Sequence, residues 1–195
     1  MPHKPRGKKK TQTETKPTAG KLIRAGWSQK WPVILFVTGF AVLMILFYLF
    51  WLSDFSQEKV QPVIVSVNAR VSGFILNLFG MGTTASGGMI SSPRFSVNIA
   101  RGCDAIEAMA LFAIALLTFP ARWKYKLTGL LTGIALLFSL NILRIVSLFL
   151  TGIWFPSAFE MMHVEVWQVV FIVFAIALWI FWIRWSRKEE THVQE

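Results

Sequence analysis

Charge, acid and cysteine are all scarce in this chain. Of its 195 residues only 15% are charged, and just 10 are Asp or Glu. That is too little charge for the surface of a soluble domain, so a soluble core is the wrong expectation. There is one cysteine, Cys103, and there are three histidines. A single thiol excludes an internal disulfide and leaves the redox compartment unreadable; it acts as a free thiol or packs as a small hydrophobe. One cysteine and one well-placed histidine are too few for a zinc site unless carboxylates complete it, so neither metal nor cofactor is expected. No internal repeat is present. The N-terminal stretch is basic, with Lys8, Lys9 and Lys10 in a row, but it lacks the aromatic interleaving and folded motif of a nucleic-acid binder. Beside a membrane span, such a tail reads as a topology signal and a contact for anionic lipid.

What the chain has instead is apolar length. Hydrophobic residues make up 54% of it, nine residues are Trp, and the apolar residues fall in runs of about 20, the length that crosses a bilayer. The expected fold is an all-α integral membrane bundle of about four transmembrane helices, with an interfacial helix and a short extracytoplasmic β-hairpin. Spans are expected at about residues 32–52, 103–120, 127–150 and 164–183. They form one transmembrane domain over 31–188, between a disordered basic tail, 1–30, and a short tail, 189–195.

The first span begins with Trp27 and Trp31 and ends with Trp51, where amphipathic rings suit the headgroup layer. Pro32, read as a first-turn residue, costs no helix hydrogen bond. The run is too long for a signal-peptide core, and Ser53-Asp54-Phe55-Ser56 is no cleavage site, so it reads as an uncleaved anchor. In the 53–102 segment, Asn68, Arg70 and Asn77 interrupt a mildly apolar stretch, which suggests an interfacial or packed amphipathic helix. Gly80 to Gly88 reads as a turn or mobile loop. Phe95, Val97 and Ile99 alternate with polar or small residues, a strand pattern that Met89-Ile90-Ser91 can join as a hairpin. Asp104 and Glu107 then suit a helix N-terminus.

Orientation follows from Lys and Arg. With four crossings, one side collects fifteen of them, in the two tails and the 121–126 loop; the other carries Lys59, Arg70, Arg94 and Arg101. Both termini are therefore expected in the cytoplasm and the 53–102 segment outside. Cys103 lies 17 residues before Pro120, Arg144 lies 18 after Lys126, and His163 lies 21 before Arg184. At about 1.5 Å per residue these are roughly 25, 27 and 31 Å above the inner boundary. The hydrocarbon layer is about 30 Å thick, so three chemically capable side chains on three helices converge on one depth, the outer interface. Spacing does not determine their lateral distance.

Together the three suit acyl transfer. A nearby cation and a helix N-terminus both lower a thiol's pKa, which is the expectation for Cys103 beside Arg144. Histidine can pass a proton to a leaving amine, and arginine can stabilise the developing oxyanion. Glu107, one turn deeper than Cys103, is a candidate partner for Arg144 or Arg101. Asn141, three residues before Arg144, can orient it or bridge helices by hydrogen bonds. Glu160, Glu165 and Gln168 carry no meaning singly. His3 and His192 lie in the tails and have no case.

A cysteine opening a span after a short strand, Asn141-Ile142-Leu143-Arg144-Ile145 late in the next, and His163-Val164-Glu165-Val166-Trp167-Gln168 opening the last resemble the exosortase and archaeosortase family of membrane transpeptidases, most closely its compact exosortase H branch. The resemblance covers about Gly73 to Trp185. It implies Cys103 as nucleophile, Arg144 as stabilising cation and His163 as proton-transfer residue, in the plasma (bacterial inner) membrane. It implies substrates that are exported proteins whose C-terminal tail carries a short motif, a membrane helix and a basic cluster, cleaved through a thioester and transferred to a cell-envelope acceptor. One departure is that Asp104-Ala105 follows the cysteine where many relatives have Ser-Gly or Asn-Gly; an acid there raises the thiol's pKa. The chain is also shorter than the eight-span members. The alternative class is a non-catalytic membrane scaffold in which Cys103 packs, Arg144 snorkels and His163 is structural. A small transporter subunit is disfavoured because no span shows paired Gly/Pro interruptions.

Overall fold

A computed structural model describes residues 19–100 and 102–192. The chain divides into two units at Leu35/Phe36. Helix α1 (Ala19–Trp51) begins in the first; the second contains every other element. The helix already runs through residues 19–30, which the composition suggested as tail; Lys21, Leu22, Arg24, Ala25, Gln29 and Lys30 are good helix formers. Pro32 therefore lies inside the helix, not in its first turn, and removes one internal backbone donor. Residues 1–18 and 193–195 lie outside the described residues.

A π-helical turn (Ser56–Val60) leads into α2 (Gln61–Leu78). Three short strands follow, β1 (Thr84–Ser86), β2 (Met89–Ser91) and β3 (Ser96–Asn98), then α3 (Ile106–Thr118) and α4 (Trp123–Trp154). After a 3-10 turn, α5 (Phe159–Met161) and a second π-helical turn (Met162–Val166) run into α6 (Trp167–His192). The fold is an all-α membrane protein with one small sheet. Trp31–Trp51, Trp123–Trp154 and Pro156–Lys188 are each long and apolar enough to cross a bilayer.

Helix α3 is shorter than the run that suggested it. Its 13 residues rise about 20 Å, against a hydrocarbon thickness of about 30 Å. Phe119 is extended, and Cys103 to Ala105 form a turn ahead of the helix, so non-helical residues at both ends extend its reach along α4. Contacts at both ends pin the α3–α4 pair: Lys126 Nζ donates to the Leu117 carbonyl near one end, and Arg144 approaches Cys103 near the other. Between them, Gly129 and Gly133 let α4 approach its neighbours closely. A Cβ on Gly133 would collide with the Phe112 ring, and one on Gly129 with Trp182, the small-residue packing that brings membrane helices together.

The sheet is a three-stranded antiparallel meander in the order β1-β2-β3. Ala85 pairs with Ile90, and Ile90 with Val97. The hairpin expected from the alternating pattern is therefore present, but β1 lies within the stretch read as a loop. Thr, Ala and Ser carry no hydrophobic alternation, and pairing to β2 holds them extended. Ile90 is fully buried; with Ile99, Leu76, Ile145 and Phe149 it forms a core between the sheet, α2 and α4. A second core joins α3, α4 and α6 through Phe112, Leu116, Leu137, Phe171 and Trp182. Helix α2 is thus packed, with Asn68, Ala69, Ser72 and Leu76 facing inward.

Candidate active site

Cys103 sits in the turn between β3 and α3. Its N–H donates to the Ala100 carbonyl at 3.1 Å, and two positive-φ residues flank it, Gly102 at +82° and Ala105 at +60°. Glycine adopts this backbone freely, whereas a residue with a Cβ pays steric energy of about 1–2 kcal/mol. Ala105 meets that cost while buried in the α3–α4–α6 core. Asp104, 2% exposed, accepts the Ile106 N–H through Oδ1 at 3.2 Å and so supports the start of α3. Its other oxygen has no hydrogen-bond partner among the described residues.

His163 is carried by the π-helical turn at the head of α6. Its ring lies against that of Phe159, centroids 5.8 Å apart, and its Nε2 is 2.8 Å from Cys103 Sγ. Arg144 comes from α4 and is buried at 8% exposure. Its Nη2 donates to the His163 backbone carbonyl at 3.2 Å and faces Cys103 Sγ at 3.7 Å, while the guanidinium lies 5.7 Å over the Phe171 ring. Among the described residues, Arg144 Nε has no hydrogen-bond partner and no carboxylate forms an ion pair with the guanidinium. The cation therefore remains available to charge that develops on Sγ or on an atom bound to it.

The two supporting residues behave differently. Asn141 makes no hydrogen bond to Arg144; its Nδ2 donates to Asn68 Oδ1 at 3.1 Å, a buried link between α4 and α2. Glu107 is exposed and forms no ion pair with Arg144 among the described residues. Its suggested pairing with Arg101 lies outside them. Glu107 instead shares with Arg144 and Gln168 the rim of a cavity of about 320 Å³. A second cavity, about 260 Å³, is bounded by the length of β3, by Cys103 and His163, and by Phe159.

Electrostatics revises one expectation. Cys103 and Asp104 precede α3 and lie outside the spanning helices. Burial pushes the Cys103 thiol above its ordinary range; Arg144 pulls it down and Asp104 pushes it further up, and the net shift is upward. The cation is present as the sequence suggested, but desolvation outweighs it. Sγ is nonetheless in direct contact with the His163 ring, at 2.8 Å from Nε2. Asp104 is itself shifted up, chiefly by burial.

Sequence reasoning missed several residues around the site. Phe159 and Phe171 support His163 and Arg144, and Phe95 stacks edge-on against Phe159 at 5.8 Å above Gly152, where a Cβ would meet its ring. Aromatic residues are too common in membrane spans for any one to stand out. Asn68 was noted only as an interruption, because its partner lies 73 positions away.

Fold and site together describe a multi-pass membrane protein with a cysteine, a histidine and an arginine from separate elements in contact beside a cavity. The sequence model of the transmembrane exosortases matches residues 25–181, and the chain belongs to that family. Exosortases are membrane proteases and transpeptidases that act on exported proteins with C-terminal sorting signals. Comparison with curated proteins and with solved structures finds no match.

Proposed function

We propose that this chain is a membrane-embedded cysteine transpeptidase in which Cys103 is the nucleophile, His163 the proton-transfer residue and Arg144 the oxyanion-stabilising cation. The observation that carries the reading is the pair of distances at one sulfur: 2.8 Å from the His163 imidazole and 3.7 Å from the Arg144 guanidinium. His163 takes the thiol proton as Sγ bonds to the scissile carbonyl carbon. The carbonyl oxygen becomes an oxyanion that Arg144 stabilises in a shielded site. Collapse breaks the C–N bond, and the leaving amine of the C-terminal fragment takes the proton from His163. The resulting thioester is then attacked by an acceptor nucleophile from the cell envelope or by water, which regenerates the thiol.

The substrates are exported proteins with a C-terminal motif, a hydrophobic helix and a basic cluster. Their tail is itself a membrane helix, so the bond to be cut lies at the surface of the bilayer, at the depth assigned to Cys103. The site faces the non-cytoplasmic side, and the basic loop with Arg122, Lys124 and Lys126 faces the cytoplasm. Arg144 lies 18 residues along α4 from Lys126, about 27 Å, which supports opposite leaflets for the two.

Cys103→Ala tests the reading. It should abolish processing of a co-expressed tail-bearing substrate while the protein stays inserted; normal processing would remove the enzyme. A membrane-impermeant thiol reagent should label Cys103 from the outer side of intact cells. Labelling only after access to the cytoplasmic face would reverse the orientation.

A further inference from the structure

We infer that the free edge of β3 is the substrate's docking strand: the polypeptide segment next to the scissile bond adds to the sheet as a fourth strand and is thereby led to Cys103. The inference rests on the peptide-cleaving reading above and specifies how that site holds its substrate.

The pairing pattern shows which backbone groups are free. Ile99 N–H donates to the Gly88 carbonyl and Ser92 N–H to the Phe95 carbonyl, both at 2.9 Å. Antiparallel pairs alternate between hydrogen-bonded and open, so the 88/99 and 92/95 pairs make 90/97 the bonded pair between them. The Met89/Asn98 and Ser91/Ser96 pairs are then open. In an open pair the N–H and C=O of each residue point away from the partner strand. Ser96 and Asn98 therefore direct two donors and two acceptors outward from the sheet's last strand. Both residues are exposed, and no described residue pairs with these groups.

That edge faces the cavity which holds the thiol. Successive side chains of a strand point to opposite faces, so a cavity on one face of β3 would touch alternate residues. The 260 Å³ cavity instead touches Phe95, Ser96, Val97, Asn98 and Ile99 in unbroken series, and Cys103 and His163 border the same space. It therefore runs along the strand's edge. From Phe95 to Ile99 the edge is about 13 Å long, enough for a segment of about four residues.

The chemistry selects the occupant. Donors and acceptors repeating at two-residue spacing match another extended backbone, the basis of recognition by strand addition. An acyl chain offers neither group, and an unpaired edge beside a bilayer is costly to leave open. An extended main chain is also the form in which a peptide carbonyl can be presented to Sγ. Because the contacts are to backbone, they accept many sequences.

The test uses mixed-sequence pentapeptidyl vinyl sulfones on the full chain in isolated membranes, compared with methyl vinyl sulfone. Each probe alkylates the thiol by addition across its double bond: Sγ bonds to the alkene carbon β to the sulfone and the proton goes to the carbon beside the sulfone. The peptidyl pool should label Cys103 at least about tenfold faster than methyl vinyl sulfone. Blocking alternate probe amides by N-methylation should lower that ratio about threefold to tenfold per hydrogen bond lost. Ser96→Pro removes an outward donor without removing a β2–β3 bond, and should lower the ratio by a similar factor. A peptidyl pool no faster than methyl vinyl sulfone, or a ratio indifferent to N-methylation, overturns strand addition; the methylation comparison needs no variant to fold. Processing that survives Cys103→Ala would instead overturn the proteolytic reading, so the two failures are distinct.

Discussion

Replacing Arg144 tests the proposed mechanism where its magnitude can be worked out. The guanidinium faces Sγ at 3.7 Å, with the Asp104 carboxylate also within its electrostatic reach. At an effective dielectric of about 20, unit charges about 4 Å apart interact by about 4 kcal/mol. At about 1.4 kcal/mol per decade, Arg144→Gln should slow single-turnover processing about 1000-fold. It also loses the bond to the His163 carbonyl, which helps hold the π-helical turn that presents the imidazole. Arg144→Lys keeps the charge, but the shorter side chain gives up the guanidinium face that lies over Phe171 and the placement of Nη2 beside Sγ; a loss of about 10- to 100-fold is expected. The assay is single-turnover cleavage of a tail-bearing substrate in proteoliposomes, with iodoacetamide alkylation of Cys103 followed against pH. Arg144 is the influence that lowers the thiol's pKa, so in Arg144→Gln the alkylation midpoint should move to higher pH. Cleavage within about threefold of the parent, or a loss with no upward movement of the midpoint, would refute the reasoning.

Two further predictions concern the surroundings of the site. Burial holds the Asp104 carboxyl above the usual range, so its stabilising contribution is complete below the unfolded carboxyl pKa and is lost as pH rises through the folded value. Asp104→Asn should therefore melt higher than the parent at neutral pH, followed by tryptophan fluorescence, with the gain shrinking as pH falls. It should also move the Cys103 alkylation midpoint down, since Asp104 raises that thiol; an unchanged midpoint would show that the carboxylate does not act on the sulfur. For the buried Asn141–Asn68 link, a double-mutant cycle with alanine should return a coupling of about 0.6–1.7 kcal/mol, the range for hydrogen bonds between membrane helices. A coupling near zero would mean that α2 and α4 associate through their apolar contacts alone.

The long apolar runs made the membrane class and helices α1, α4 and α6 legible, because a bilayer requires both length and hydropathy. Alternation at Phe95, Val97 and Ile99 made β3 legible for the same kind of reason, a period imposed by burial on one face. β1 was not legible, since Thr84, Ala85 and Ser86 are held extended by a neighbouring strand and not by their own pattern. Neither was the early end of α3, where Ala105 turns left-handed and Phe119 extends within an unbroken apolar stretch.

By itself the sequence suggested a common depth for Cys103, Arg144 and His163, because helical rise converts residue count into height. Only the tertiary structure decided their lateral contact. Arg144 lies 41 positions from Cys103, and His163 lies 60; which helix faces which depends on Gly129, Gly133 and the aromatic side chains seated against them. It also decided the sign of the thiol's shift, since desolvation depends on everything packed around the sulfur, whereas a one-dimensional reading shows only the nearby charges.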